Sequence, residues 1–431
     1  MKLSALLFLV ACGGGGSNNN GTDGGVTVDS RQIDAPAAAV TVHVLDSTTL
    51  AGRPVAFLRN DDSVIAEVLT DSTGTASAPM PDGGSVTVGG TGVVNATVYT
   101  YVGVKNGQEL TIGKAIAAAA NPFAITVTIP ASVEPTAQNF NFNSTCNINA
   151  SNGTNSRTVD MMIRPDCTTA DFYVEALDSS YKVLSTTYVT GKAVSAGANV
   201  NTGTAFTPVA STTLSITNAP LATITPALDV VVGSFYPVPV LFNSDITITN
   251  GNGTKKLNRG TIPGASLETR IQVQSSGDQF WVKRTAATDF EAFDFATANL
   301  PVISSGVAYS PTARAVTWDE SGHAVDTSAA DITVRNGSAR NYAWLIVGPH
   351  TAASLHVPHL PGSLAQYNIA SSDTVFPTAV IGSFPGGFDR IVSHAFIERF
   401  DFFTAVYAGD RRDAWGYVLA DGDTAMFASN N

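Results

Sequence analysis

A two-residue alternation of apolar and polar side chains, broken every few residues by turn signals, sets the range of folds open to this chain. Val40, Val42 and Val44 alternate with Thr41 and His43, the period of a strand with one face buried and the other wet. Similar runs recur at 55–58, 64–69, 86–88, 94–102, 109–112 and 123–129. Turn signals at 70–74, Asp82-Gly83 and Asn106-Gly107 separate them. Such spacing, about seven short strands in a row, predicts a small β-sandwich.

The pattern continues. Residues 157–163, 171–177, 181–189 and 212–217 read as strands of a second block, with turns at Asn152-Gly153 and 197–199. In the third block the candidates are 245–249, 271–274, 280–282, 315–318, 331–334, 342–347, 388–400, 415–419 and 424–427. No long helical period appears, and the one notable run of helix formers, 115–120, is short. The prediction is an all-β chain of tandem antiparallel β-sandwich domains. The first spans 38–130, the second 131–220, and a large distal β-domain 221–431, one antiparallel sandwich or barrel-like sheet.

Composition agrees. Charged residues make up 13% of the chain, about half the usual share, and 44% is hydrophobic. The polar remainder is mostly Thr, Ser, Asn and Gly, which suit strands and turns. A net charge of -12 repels phosphate backbones, which excludes nucleic acid as a partner. It equally opposes binding to anionic lipid through the protein surface.

The N-terminus carries an address. Lys2 precedes an apolar or small run over 3–11. That run is too short for a permanent span of about 20 residues and has the flanks of a secretory signal. Leu9-Val10-Ala11-Cys12 resembles the lipobox of bacterial lipoproteins. The resemblance implies that 1–11 is a signal peptide, cut before Cys12, and that Cys12 carries the lipid. Several acyl chains anchor stably where one does not. In a Gram-negative cell, Gly13 after the cysteine implies outer-membrane sorting. Residues 12–37, rich in Gly and Asn, form a flexible tether with an r.m.s. span of roughly 25–30 Å.

Val40-Thr-Val-His-Val44, Leu50-Ala-Gly-Arg-Pro-Val55 and Thr70-Asp-Ser-Thr-Gly-Thr-Ala76 together resemble the carboxypeptidase regulatory-like family over residues 38–90. Its members are Ig-like or transthyretin-like sandwiches. The resemblance implies a structural spacer, and no functional residue carries over.

With Cys12 lipidated, Cys146 and Cys167 remain. An exported chain lives where disulfides persist, and closing this loop is worth roughly 3 kcal/mol. Two separate buried thiols are the alternative. Zinc is disfavoured, because no further Cys or His lies near either in sequence.

Candidate chemistry is sparse. His350, His356 and His359 fall within ten residues and are weak candidates for zinc or copper. A strand throws His-x-x-His to opposite faces, and Pro358 bars a helix. The plainer expectation is a Pro-rich connection over a sheet end. Asp289, Glu291 and Asp294 lie among Phe290, Phe293 and Phe295. Paired carboxylates serve glycoside hydrolysis when suitably spaced, but a solvated acidic segment is favoured. Calcium there, or at Asp421 and Asp423, lacks the twelve-residue EF-hand pattern. Ser179-Ser-Tyr-Lys182 fits Ser-x-x-Lys without its companion Lys-Thr-Gly. No nucleophile elbow, P-loop or His-Glu-x-x-His is present. Trp281, Trp318, Trp344 and Trp415 all lie in the third block; core is the default for them, a sugar-stacking face the alternative.

The chain therefore reads as a lipid-anchored extracytoplasmic surface protein, at the outer membrane or cell surface. Its expected role is display or binding, without catalysis or cofactor. Its expected partners are the membrane, through the lipid on Cys12, and envelope or extracellular glycans or proteins. The rivals are a carbohydrate-binding or adhesin-like module and, behind it, a secreted hydrolase or metalloenzyme.

Overall fold

Val55 and Phe57 point to one side of the strand Pro54–Leu58, Ala56 and Leu58 to the other, and all four are buried. A strand apolar on both faces needs cover on both, so it belongs inside a sheet covered on each side. The structure is a computed structural model that describes residues 37–45, 50–90, 94–112, 122–146, 151–165, 167–232, 236–239, 251–262, 265–274, 277–286, 288–393 and 422–430. Within them the fold is all-β, with short helices only at Phe295–Ala298, Gly362–Tyr367 and Gly387–Ser393. None of these is long and apolar enough to cross a membrane.

A sheet of twelve strands forms the spine. Its order is Tyr236–Pro239, Thr223–Val232, Ser266–Gln274, Asp278–Ala286, Thr424–Ser429, Thr374–Ser383, Thr327–Asn336, Arg340–Pro349, Val94–Val104, Gly84–Val88, Pro54–Leu58 and Val64–Leu69. Every neighbouring pair is antiparallel except Arg340–Pro349 with Val94–Val104, which is parallel. At that seam the first block of sequence joins the third, with Trp344 opposite Val98 and Val347 opposite Tyr101. The first block thus does not close on its own sheet edge.

Three small sheets cover the spine. Ala39–Val44, between Thr75–Pro79 and Glu109–Ile112, sends Val40, Val42 and Val44 onto Val55, Phe57, Val86 and Leu345. Ala315–Ser321, between Val302–Ser310 and Ser354–His356, brings Val316 and Trp318 onto Ala56, Val98, Trp344 and Ile346 on the opposite face. Ala210–Thr217, between Gly253–Arg259 and Phe290–Asp294, brings Leu214 and Ile216 onto Ile271 and Trp281. Fully burying a side chain of this size stabilises by about 1.5–3 kcal/mol. The central strands of the spine are therefore apolar on both faces, not on alternate residues.

The remaining strands form a second sandwich, whose Tyr173 reaches into the core around Ile271 and Trp281. Five strands, ordered Ser151–Thr154, Asn139–Ser144, Thr169–Leu177, Val183–Ala193 and Thr207–Pro208, share a core with Thr158–Ile163, Phe123–Thr128 and Asn199–Asn201. Phe123–Thr128, the last expected strand of the first block, pairs only here among the described residues, antiparallel to Thr158–Ile163 and parallel to Asn199–Asn201. Ala210–Thr217 likewise pairs with the third block. The end of the chain differs from the sequence pattern as well. Residues 387–393 are a helix, not a strand: Phe388, Ile391 and Val392 are buried at helical spacing after a Gly386-Gly387 turn. The runs at 115–120, 245–249 and 415–419 lie outside the described residues.

Candidate functional site

The histidine-rich segment is divided between two places. After the strand Ser354–His356 the chain runs extended through Pro358 and Pro361 into the 3-10 helix Gly362–Tyr367. His356 Nε2 lies 2.9 Å from Asp62 Oδ1. Arg314 Nη2 lies 2.6 Å from Asp62 Oδ2, and the His359 backbone N–H donates to the same oxygen at 3.1 Å. Asp62 sits at the tip of the hairpin between Pro54–Leu58 and Val64–Leu69, at φ 66, a left-handed conformation that Asp tolerates better than most residues. Nearby, the Ser363 N–H donates to Glu67 Oε2 at 3.3 Å, and Tyr367 Oη donates to Gly90 O at 3.0 Å. His356 and His359 thus pin the distal segment onto the first block.

His350 faces elsewhere. Its Nε2 lies 3.0 Å from Glu320 Oε1, and its Nδ1 lies 2.7 Å from Ser328 Oγ. Trp318 Nε1 donates to Glu320 Oε2 at 2.6 Å. Glu320 and His350 line a recess of about 280 Å³ with Ser321, Gly322, His323, Ala324, Val325 and Ile381. The three sequence-predicted metal candidates therefore do not converge. Among the described residues no group of three or more His, Cys, Asp or Glu is arranged to hold a metal ion.

The acidic segment is also dispersed. Glu291 points inward beside Phe293 and pairs with Lys283 Nζ at 2.6 Å. Asp294 caps the helix Phe295–Ala298, accepting from the Ala296 N–H, and also takes hydrogen bonds from Asn218 and Thr297. Those bonds hold its carboxyl below the usual range. Ser179 and Lys182 belong to a surface turn organised by Asp178, which accepts from the Ser180 and Lys182 N–H groups. Asp423 lies 3.4 Å from Arg390; Asp421 is outside the described residues.

Cys146 and Cys167 are bonded, with their Cα atoms 6.2 Å apart. They close the end of the antiparallel pair Asn139–Ser144 and Thr169–Leu177. Trp281, Trp318 and Trp344 are 7%, 4% and 0% exposed, too little for a stacking platform; Trp415 and Cys12 lie outside the described residues.

Sequence reasoning missed Asp62, Glu320 and Ser328. Each is an ordinary polar residue at a strand end or turn. What singles it out is a partner 22 to 294 positions away.

No protein-family model and no curated protein matches the chain. Among solved structures, it is similar to the Bacillus anthracis TIE protein at 12% identity and TM-score 0.15, over 60% of this chain and 50% of that one. The match thus spans half of that protein. A candidate adhesin from Bacteroides ovatus matches at 9% identity and TM-score 0.13, over 57% of this chain and 75% of that one. The streptococcal ancillary pilin matches at 7% identity and TM-score 0.12, over 73% of this chain and 99% of that one. No residue role follows from likenesses this loose.

Proposed function

We propose that the chain is a lipid-anchored extracytoplasmic surface protein whose β-scaffold serves display and binding, without catalysis. The lipobox-like Leu9–Cys12 and the Gly/Asn-rich tether support the anchor. The observation that carries the non-catalytic part of the reading is the place of Ser328. It is the hydroxyl on His350 and, with Glu320, completes a Ser-His-acid set, yet it is 1% exposed inside the spine. It also bonds Nδ1 while the acid takes Nε2, the reverse of the arrangement that activates a nucleophile. A buried serine holds the imidazole in place and meets no substrate. The buried tryptophans weigh against the carbohydrate-binding rival.

The test has two parts. Wild-type protein should enter the detergent phase on partitioning and be shaved from intact cells by protease; Cys12→Ser should do neither. Identical partitioning of the two removes the anchor. A fluorophosphonate probe should leave Ser328 unlabelled, and labelling there restores the hydrolase.

A further inference from the structure

The strongest unexplained feature is a fixed carboxylate at the edge of a recess. Glu320 is held by Trp318 Nε1 and His350 Nε2, at 2.6 and 3.0 Å. Among the described residues no Lys or Arg pairs with it. Ser328 holds the imidazole in place: its buried hydroxyl lies 2.7 Å from His350 Nδ1, and Nε2 on the far side of the ring faces Glu320. The side chains of Glu320 and His350 are 24% and 13% exposed, so the charge faces the recess and is screened less than an open surface charge.

We propose that this recess binds a lysyl side chain of a partner polypeptide, a proposal that rests on the binding function above. Its volume of about 280 Å³ lies at the small end of ligand pockets and suits one side chain. Val325, Ala324 and Ile381 offer apolar wall for a methylene stem, and Glu320 stands where the charged end would arrive. Gly322, at φ 91, lets the rim pack tightly against Leu300: a Cβ there would lie 2.1 Å from Leu300 O. Each carboxylate oxygen already accepts one bond, which leaves poor footing for a bidentate guanidinium fork and suits a compact ammonium. A sugar ring would need an exposed aromatic face, and Trp318, its ring centroid 6.5 Å from that of His350, is buried.

The experiment titrates Nα-acetyl-lysine methylamide into the full chain in detergent micelles. Ring resonances of His323 and His350 are followed in histidine-labelled protein. A saturable shift is expected. Nα-acetyl-norleucine methylamide, the same stem without charge, should give none, and Glu320→Gln should weaken the lysine probe at least tenfold. Ala324→Phe, at an exposed loop position, should block the recess with the carboxylate intact, so the outcome does not hang on one variant. No saturable shift, equal affinity in wild type and Glu320→Gln, or preference for glucosamine overturns the proposal. Failure here with Cys12-dependent partitioning intact removes only the recess; loss of the Cys12 effect is read independently.

Discussion

His356 Nε2 and Asp62 Oδ1 lie 2.9 Å apart although 294 positions separate them in the chain. With Arg314 and the His359 N–H on the other carboxylate oxygen, Asp62 joins the first block to the distal one.

Asp62→Ala should cost about 1–3 kcal/mol, the range for losing charged hydrogen bonds at a buried site. Burial pushes the Asp62 carboxyl up, but His356, the His359 N–H and Arg314 together hold it below its ordinary value. A carboxyl lowered in the folded state contributes stability above its unfolded value. That stability is lost as pH falls through the folded value. Urea midpoints of Asp62→Asn should accordingly fall less steeply than those of wild type on acidification.

Glu175 works in the opposite sense. Burial raises it to about 7, against hydrogen bonds donated by Asn141 at 2.7 Å and Tyr173 at 3.0 Å. A raised carboxyl contributes fully below its unfolded value, and the contribution is lost as pH rises through about 7. Between pH 5 and pH 8, the chain should lose roughly 2–3 kcal/mol from this group. Denaturant titrations of Glu175→Gln at the two pH values should show that loss removed.

The disulfide spans 21 positions. Replacing both Cys146 and Cys167 by Ser should destabilise by roughly 3 kcal/mol on the chain-entropy account. Non-reducing peptide maps of exported protein should recover the two cysteines linked; free thiols in folded protein would contradict the bond.

The parallel seam makes a stronger demand. Trp344 Nε1 donates to Thr100 Oγ1 at 2.9 Å, and Thr100 also meets Thr87 at 2.8 Å, all three buried. A chain that starts after residue 112 loses that partner strand and opens the edge Arg340–Pro349, an invitation to aggregate. It should be insoluble or protease-sensitive throughout, whereas the intact chain should resist limited proteolysis over both blocks. A soluble, cooperatively folding truncation would show that the distal block does not depend on the first.

Strand content was readable because side-chain period is local: Val40, Val42 and Val44 announce a face wherever that strand ends up. The Cys146–Cys167 pair was readable for a similar reason, since setting Cys12 aside in its lipobox-like string leaves two cysteines. The lipobox-like Leu9–Cys12 is likewise a local string. Residues 387–393 misled because three apolar positions in a short run satisfy strand and helix alike, and packing of Phe388, Ile391 and Val392 chose the helix.

Pairing is another matter. Strand neighbours are chosen by which edges and faces meet, and the free energy lies in contacts between distant segments. Val94–Val104 carries no mark that says Arg340–Pro349, and Phe123–Thr128 none that says Asn199–Asn201. The same holds for side chains. His350, His356 and His359 lie close in sequence, yet the sheet sends His350 to Glu320 and Ser328, and His356 and His359 to Asp62. Period and composition settled that the chain is β and built in layers. Only tertiary packing could settle which layers share a sheet and which polar side chains meet, because both depend on distances between residues that sequence keeps far apart.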